Sequence, residues 1–455
     1  MTETEFNGIA VRLVNRTLAR DAQLPDTALS REIIALLEQG PIALSRIDAE
    51  YGDHLIDAYL NLQKLWKVKA LEVLNKANDP DIILAPATTG ETLNFSAWKA
   101  TGLWKLSRFA YVHRTEDGNL ILESPRATAI TTLLSARAVG ILFGLRRPTT
   151  VQQMKENGWG GSPDELNDLL VLLHMADCAD CCDAKGNIVE DERPDLMQWE
   201  FHDLLFHCRS RQGRHDSPMG AHFRFKGQIA HEPVVKPNPW RSHAIALYRP
   251  TLAEIISKDA PFSSVLEARR SNRDHNDSWP ISVHQLGEFL FRTSRIRHRF
   301  QTDIGEFTSR PYPSGGASYE LELYITVNHC AGLDRGFYYY DPEAHSVCLV
   351  QRPNDDVEGL LNEAWQSAAQ LCRPQVLITV ASRFHRLSWK YSGMAYATQL
   401  KNTGVLYQTL YLVATAMNLA GCGLGCGNTS RFCRLAGTSY LEEGSIGEFM
   451  LGNPS

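Results

Sequence analysis

The clearest hydrophobic pattern in the chain lies near its C-terminal end. From Tyr396 to Leu419, apolar or small residues recur every three or four positions, as on one face of a helix. These positions are Leu400, Thr403, Gly404, Tyr407, Leu410, Tyr411, Ala414 and Met417. The spacing predicts one long core helix. Glycine in mid-helix costs about 1 kcal/mol relative to alanine, which close packing at Gly404 would offset.

The N-terminal part of the chain alternates short helical patterns with breaks. Helices are predicted over Ser30–Gln39, which ends before Gly40-Pro41, over Leu44–Tyr51 and over Asp57–Trp66. The order helix, break, helix, helix resembles a winged-helix unit.

A similar order recurs further along the chain. Helices are predicted over Thr128–Leu145 and Asp164–Met175. Pro41 and Pro148, which follow the first helix of each set, are 107 residues apart (148 − 41 = 107), and the same offset separates the third helices (164 − 57 = 107). The shared offset indicates a degenerate duplication.

A β hairpin is predicted before the second helical set. Phe109–Val112 and Leu120–Leu122 flank a turn that contains Asp117-Gly118, a strong hairpin signal. Winged helices commonly bind DNA, but the predicted third helices lack a dense basic stripe. A strand edge that accepts a peptide as an added strand needs no positive charge. The remaining possibility is that both units only pack on the rest of the chain.

The remainder of the chain begins with an irregular segment and continues with strands. Arg193–Pro250 is rich in Pro, His, Arg and aromatic residues with little periodicity, which predicts an extended linker. A helix is predicted over Phe262–Ala268, and strands over Tyr319–Val327 and Val376–Ala381. Tyr338-Tyr339-Tyr340 is interpreted as a strand with one buried face.

Length and composition set the class of the protein. A chain of 455 residues predicts two to four domains. An apolar fraction of 44% and the lack of an apolar run of ~20 residues indicate a globular protein without a membrane span. The net charge of −6 disfavours nucleic acid as a partner. We predict an α+β protein with winged-helix-like units at 1–95 and 96–192, a linker at 193–250 and a larger domain at 251–455.

Redox environment and metal binding are inferred from the cysteines. Ten of them are dispersed along the chain, and the start MTETEFNG lacks the features of a secretory signal, so a cytoplasmic protein is expected. His174, Cys178, Cys181 and Cys182 form a cluster with one C-x2-C pair and no second pair at finger-like spacing. We interpret them as partly buried thiols, and no metal site is predicted.

Polar and glycine-rich motifs in the last two hundred residues indicate a cofactor site. Arg269, Arg270, Ser271 and Arg273 place three guanidiniums and a hydroxyl within five residues, which suits a phosphate or the polar edge of a heterocycle. A rigid loop follows at Pro313, Ser314, Gly315 and Gly316.

Two further motifs flank the long helix. Lys390-Tyr391, before it, can act as an acid/base pair. Glycines at 421, 423, 425 and 427, after it, allow the backbone to approach a flat ligand.

The order of these motifs resembles a known family. RRSNR, then RPYPSGGASYELELY, then WKY, the long helix and GCGLG are similar to the nitroreductase-like flavin fold over residues 255–455. More narrowly, they resemble the SagB/McbC-type azoline dehydrogenases of ribosomal peptide biosynthesis. Among these the chain is most similar to cyanobactin oxidases, which carry N-terminal peptide-clamp domains.

The resemblance implies FMN as cofactor and a role for each motif. Arg269, Arg270, Ser271 and Arg273 would contact the FMN phosphate and ring edge. The loop Pro313–Gly316 would reach the flavin, usually from the other subunit of an obligate homodimer with the long helix packed across it. Gly423, Leu424 and Gly425 would line flavin N5, with the Gly425 amide facing it. A basic phosphate ligand common after the last strand is missing here, and Arg431 or Arg434 are candidates to replace it.

The resemblance also implies the reaction. Lys390 would be the base and Tyr391 its partner in oxidation of a thiazoline or oxazoline ring of a peptide to an azole, with flavin reoxidation by oxygen. No G-x-G-x-x-G follows a strand, which fits oxygen rather than a nicotinamide. Two alternatives remain: an NAD(P)H-dependent nitroreductase or quinone reductase, and a non-catalytic peptide-binding scaffold.

Overall fold

The computed structural model describes residues 8–93, 102–303 and 305–455, and the chain divides into two compact units, Met1–Pro218 and Met219–Ser455. Helices and antiparallel sheets occur in both units, which confirms the predicted α+β class. Within the described ranges, no helix is long and apolar enough to cross a membrane. Residues 1–7 of the start MTETEFNG lie outside the described residues.

The described part of the first unit contains ten helices and nine strands. The helices are α1 (Arg16–Asp21), α2 (Ala28–Leu37), α3 (Leu44–Glu50), α4 (Leu55–Lys67), α5 (Ala136–Gly144), α6 (Val151–Glu156), α7 (Pro163–Met175), α8 (Val189–Glu192), α9 (Pro194–Met197) and α10 (Phe201–Arg209). The strands are β1 (Ala10–Leu13), β2 (Ile42–Ala43), β3 (Leu71–Leu74), β4 (Ile82–Pro86), β5 (Trp104–Leu106), β6 (Tyr111–Arg114), β7 (Leu120–Glu123), β8 (Ala129–Leu133) and β9 (Ala179–Cys181).

Seven of these strands form one sheet in the order β2-β1-β3-β4-β8-β7-β6. The predicted hairpin is confirmed, because β6 pairs with β7 and places Val112 opposite Leu122. The prediction of one helix over Thr128–Leu145 was wrong in its first part. The β-branched run Ile130–Thr132 favours the strand β8, which pairs with β4, and the helix begins only after Ser135, whose side chain caps it.

The repeated helix order is visible in the structure. The starts of α2, α3 and α4 precede those of α5, α6 and α7 by 108, 107 and 108 residues (136 − 28, 151 − 44 and 163 − 55). The predicted boundary at 95/96 lies outside the described residues, and strands from both sides of it share the seven-stranded sheet. The assignment of two separate winged-helix units therefore stays a prediction.

The predicted linker 193–250 is divided between the two units. Its first part contains α9 and α10, and its second part contributes short strands to the second unit. The apolar positions of α10 were hidden from the sequence pattern because histidines, arginine and aspartate interrupt them.

The second unit combines eleven strands with seven helices in its described part. The strands are β10 (Gly220–Ala221), β11 (Ala244–Ala246), β12 (His298–Thr302), β13 (Gly305–Ser309), β14 (Leu321–Val327), β15 (Gly336–Asp341), β16 (Ser346–Gln351), β17 (Val376–Arg383), β18 (Tyr391–Ser392), β19 (Ala420–Leu424) and β20 (Glu443–Gly452). The helices are α11 (Leu252–Lys258), α12 (Phe262–Ala268), α13 (Val283–Ser294), α14 (Asp355–Ser367), α15 (Phe384–Ser388), α16 (Ala395–Ala416) and α17 (Thr429–Ala436).

An antiparallel sheet in the order β11-β16-β15-β14-β17-β20-β19 forms the centre of the second unit. Apolar residues of α13 and α16 cover one face, and those of α14 and α17 cover the other. Because both faces are covered, Tyr338, Tyr339 and Tyr340 of β15 are all buried, so the prediction of a single buried face for them was wrong.

The predicted long helix is confirmed as α16, with a slightly earlier end. The chain leaves the helix after Ala416 and turns at Asn418, whose φ of 52° lies in the left-handed region. Leu410 and Ala414 are buried against the sheet, whereas Leu400 is exposed and a Cβ added at Gly404 would meet nothing within 4 Å.

Candidate functional site

Helix α16 contacts three of the predicted motifs, namely the loop Pro313–Gly316, the arginine-rich segment and the glycine run. Asn402, in its first half, contacts the loop Pro313–Gly316, and Tyr411, in its second half, contacts both the arginine-rich segment and the glycine run. Nine residues separate the two side chains (411 − 402 = 9), which corresponds to roughly 13 Å along a helix. The candidate site therefore has two parts.

We call the first part the arginine half-site; it comprises Arg269–Arg273 and Gly423–Gly425. Tyr411 connects its two segments, because its hydroxyl lies 3.0 Å from Ser271 Oγ and accepts a 2.7 Å hydrogen bond from the Gly423 amide. The Asn272 amide also donates to the Gly421 carbonyl at 3.0 Å. Segments about 150 residues apart in the sequence (423 − 271 = 152) thus become neighbours.

Among the residues that the structure describes, the guanidiniums of this half-site have no carboxylate partners. Within the described residues, Arg269, Arg270 and Arg273 form no ion pair; the Arg269 guanidinium lies 5.4 Å from the ring centroid of Tyr411. All three side chains are at least partly exposed. Such an uncompensated cluster of forked donors can bind a phosphate.

The glycine run presents one open backbone position. A Cβ at Gly423 would lie 3.1 Å from the Tyr407 ring, so this glycine permits close packing of β19 on α16. Leu424 is buried on the opposite side of the sheet. A Cβ at Gly425 would meet nothing within 4 Å, so the backbone there is accessible to a ligand.

We call the second part the loop half-site; it comprises Pro313–Gly316, Lys390 and Tyr391. Asn402 anchors its loop: the side-chain carbonyl accepts from the Gly315 amide at 3.0 Å, and the side-chain amide donates to Ser314 Oγ at 3.2 Å. The same amide donates to the buried carboxylate of Glu320 at 2.8 Å, and burial raises the pKa of that carboxyl. Pro313 is exposed at the start of the loop.

Gly316 brings the loop against the Lys-Tyr pair. Its φ is +59°, and a Cβ there would lie 2.2 Å from the Tyr391 hydroxyl and 2.7 Å from Lys390 Nζ. Lys390 Nζ donates to the Gly316 carbonyl at 3.3 Å. A side chain at this position would displace the Lys-Tyr pair and would be strained at this φ, so glycine allows the loop and the pair to touch.

The electrostatic setting of the pair favours neutral groups. Burial, together with the charge of Arg386, lowers the pKa of Lys390, and burial raises the pKa of Tyr391. Arg386 itself is buried, and burial lowers its pKa to about 10. Its guanidinium donates to the Ser318 carbonyl at 2.8 Å, which fixes the end of the loop.

Sequence reasoning missed Asn402, Glu320 and Arg386, although all three hold the loop. Asn402 and Thr398 carried a weak signal: both are polar, they are four residues apart and so lie on the same side of α16, and both are buried. Arg386 carried none, since its partners are backbone carbonyls distant in the sequence.

The two arginines suggested as replacement phosphate ligands are paired with carboxylates. Arg431 and Arg434 of α17 both bind Asp356 of α14, at 2.8 and 2.7 Å, and Arg431 also binds Glu363 at 3.1 Å. Their charges are already compensated, so neither provides a free guanidinium.

The cysteine cluster of the first unit contains a buried thiol and a histidine beside a carboxylate. Cys178 is fully buried, and burial raises the pKa of its thiol; His174 Nδ1 lies 3.3 Å from the Asp180 carboxylate. In residues 8–93, 102–303 and 305–455, no three His, Cys, Asp or Glu side chains are grouped to hold a metal ion.

Comparison with protein families identifies two separate regions. Residues 104–216 match the family described as cyanobactin oxidase ThcOx, and residues 266–452 match the nitroreductase family. The second region contains every residue of both half-sites.

Two curated relatives each match well under half of the chain. Protein MJ1384 of Methanocaldococcus jannaschii, named as a nitroreductase, is 28% identical over 176 residues, which are 39% of this chain and 81% of the relative. The microcin B17-processing protein McbC of Escherichia coli is 26% identical over 184 residues, which are 38% of this chain and 62% of McbC.

Solved structures of similar proteins are more distant. A nitroreductase-type structure from Ralstonia eutropha has 17% identity and a TM-score of 0.38 and covers 52% of this chain and 99% of its own. The McbBCD microcin synthetase complex of E. coli with truncated pro-MccB17 bound contains a chain with 18% identity and a TM-score of 0.36, covering 55% of this chain and 91% of its own.

Proposed function

We propose, from the premise that this chain is an oxidoreductase of the SagB/McbC type, that it oxidises thiazoline or oxazoline rings in a ribosomally made peptide to thiazoles or oxazoles, with FMN as cofactor. The single observation that carries the proposal is the contact of Gly316 with Lys390 and Tyr391. It places a base and a hydroxyl at a loop that resembles the flavin-contacting loop of the family.

The residues present fit an FMN group. The guanidiniums of Arg269, Arg270 and Arg273 without carboxylate partners suit its phosphate, and Ser271 adds a hydroxyl donor. The backbone at Gly425 is open to a flat ring. When bound, the flavin would accept the hydride that aromatisation releases.

Lys390 is proposed to take the proton in this oxidation. A lysine is a base only when neutral, and burial with the nearby Arg386 charge favours the neutral form. The Gly316 carbonyl holds the amine in place, and the Tyr391 hydroxyl, which burial keeps protonated, can orient the ring or relay the proton.

The two half-sites of one chain are proposed to serve different flavins in a homodimer. They contact α16 at points roughly 13 Å apart, and the chain resembles a family in which the loop reaches the flavin of the other subunit. Exposed apolar side chains on α12 and α16, namely Phe262, Leu266 and Leu400, provide surface for such an interface.

The first unit is proposed to hold the peptide substrate. Strand β6 is the last strand of its sheet in the described part of the chain, and Val112 on it is 47% exposed. A cavity of about 800 Å³ beside it is lined by Tyr111 and His113 of β6 and by Leu205 and Phe206 of α10. An extended peptide could pair with the strand and place an apolar side chain in the cavity.

The proposed activity is tested with an azoline-containing peptide in air, without NAD(P)H. Each oxidised ring should lose ~2 Da by mass spectrometry, because aromatisation removes two hydrogens from the ring. A bound flavin would accept them, and oxygen would reoxidise the flavin. If the mass loss appears only when another electron acceptor replaces oxygen, oxygen is not what reoxidises the flavin, and that part of the proposal is wrong. Reduction of nitroaromatics or quinones by NAD(P)H, with no change in the peptide, would favour the reductase alternative.

The pH dependence of the reaction should follow Lys390. Its lowered pKa lies below the ordinary ~10.4, and only the neutral amine accepts a proton, so kcat/KM should rise as pH increases through that lowered value and then level off. The measurement is kcat/KM for azole formation from pH 6 to pH 10 (roughly the span around the lysine titration), with bound flavin recorded at each pH. A rate that falls over this range would exclude lysine as the base.

A further inference from the structure

A segment that neither motif analysis nor family comparison assigns lies against the Lys-Tyr pair. We call residues 219–232 the strap. At its start, β10 pairs with β18, so that Gly220 is opposite Ser392 and Ala221 is opposite Tyr391. The Phe223 amide then donates to the Lys390 carbonyl at 3.1 Å.

The far end of the strap is attached to the same short region. Trp389 donates through its indole nitrogen to the Ile229 carbonyl at 2.7 Å, and His231 stacks on the Trp389 ring with centroids 4.5 Å apart. Arg386 donates to the Glu232 carbonyl at 2.5 Å. The strap is therefore fixed to the residues on both sides of Lys390.

Phe223 is a strap residue whose ring lies near the Lys390 amine. Its ring centroid lies 5.8 Å from Lys390 Nζ, and the Tyr391 ring lies 5.2 Å from the same nitrogen. Phe223 also packs edge-to-face on Trp389, with centroids 5.9 Å apart. Two aromatic rings thus lie near the amine, which donates to the Gly316 carbonyl.

The backbone of Phe223 is strained. Its φ of 51° lies in the left-handed region, which bulky residues rarely adopt and which glycine or asparagine would occupy at lower cost. Strain at a residue with a large side chain beside a reactive group is the pattern expected when the side chain is needed there.

We propose that Phe223 is a positioning residue that shields the Lys390 amine from water and holds it against Gly316. This inference rests on the proposed function of Lys390 as the base. The strap would thereby increase the neutral fraction of the lysine, and the Phe223 ring would form one wall of the space in which the azoline ring binds.

Two effects of the ring oppose each other. Removal of water favours the neutral amine, whereas attraction of a cation to an aromatic face favours the charged one. The distances of 5.8 and 5.2 Å are close to the limit of ~6 Å for that attraction, so desolvation should dominate.

The titratable side chains on the elements around the Lys390 amine belong to β18, α15 and the strap. Tyr391 is contributed by β18, Arg386 by α15, and His222 and Arg224 by the strap; the Arg224 guanidinium lies over the Phe225 ring, 4.5 Å from its centroid. The loop Pro313–Gly316 contributes no titratable side chain. Arg386 acts in the same direction as the strap, because its charge also lowers the pKa of Lys390.

The test measures the titration of Lys390 directly. Brief acylation with acetic anhydride over a range of pH, followed by peptide mass spectrometry, gives the neutral fraction of this lysine without relying on catalysis. Phe223→Ala should move the midpoint up by about one pH unit or more, because water then reaches the amine. Phe223→Tyr keeps a ring and should restore the wild-type midpoint. Phe225→Ala, in the same turn, is the matched control and should change nothing.

Each outcome separates this inference from the proposed function. An unchanged midpoint in Phe223→Ala would overturn the role of Phe223, whether or not Lys390 proves to be the base. If Phe223→Ala does not fold, Phe223→Leu serves instead, with a smaller upward shift expected and no shift overturning the inference. Full azole formation by Lys390→Ala would instead overturn the proposed function. The acylation result would still decide whether Phe223 shields the Lys390 amine.

Discussion

Replacing Lys390 with alanine is expected to lower the rate of azole formation at least ~100-fold while FMN stays bound, because the variant loses the proposed base and keeps the arginine half-site. Among the described residues, the hydrogen bond of Lys390 Nζ is to the Gly316 carbonyl alone. Removing the amine therefore leaves no buried charge without a partner. The measurement is kcat/KM for an azoline peptide, with bound flavin determined from absorbance at ~450 nm.

Two further variants identify the reason for the loss. Lys390→Arg keeps a positive charge but cannot release its proton near neutral pH, so it should be as inactive as alanine across the pH range. Lys258→Ala removes an exposed lysine of α11 and should retain wild-type kinetics. Activity of the arginine variant close to wild type would mean that the site needs a charge at this position rather than a base.

Mixed dimers of two inactive variants are expected to recover about half of the wild-type activity per dimer, because symmetry leaves one site with both defects and one site intact. One protomer would carry Lys390→Ala, which disables the loop half-site. Its partner would carry Arg269→Ala with Arg270→Ala, which disables the arginine half-site. Differently tagged chains, co-expressed and purified through both tags, provide the mixed dimers.

The result depends on which half-sites share a flavin. If one chain supplied both halves of each site, every site in the mixed dimer would contain one defect and the activity would remain at the level of the parents. A mixed dimer of two Lys390→Ala protomers with different tags is the control for purification. Elution of the purified protein as a monomer would contradict the homodimer before any activity is measured.

Local features were predictable from the sequence because they depend on residues close together in the chain. The apolar spacing of α16 and the Asp117-Gly118 turn have a local cause, and the structure contains both the helix and the hairpin. The alternating pattern of β14 also predicted a strand, but the structure buries both of its faces. The strand β8 was missed because the apolar content of Thr128–Leu145 is compatible with a strand or a helix, and only pairing with β4 decides.

The motifs could be located in the sequence, but the residues that contact them in the structure could not. The loop Pro313–Gly316 was predicted as a rigid loop, and the structure shows which side chains approach it at Gly316, namely those of Lys390 and Tyr391. Asn402 anchors that loop across 87 residues, and Phe223 reaches Lys390 across 167 (390 − 223 = 167). Contacts over such separations are set by the packing of the sheet and α16, which no spacing in the sequence specifies.

The central claim is that azoline oxidation reduces a flavin held by this chain, and a single turnover without oxygen tests it most directly. Purified flavin-loaded protein is mixed anaerobically with azoline peptide, and absorbance at ~450 nm is recorded together with peptide mass. We expect the absorbance to disappear as about one ring per flavin loses ~2 Da, and to return when air is admitted. Absorbance that persists with the peptide but disappears with NAD(P)H would contradict the claim.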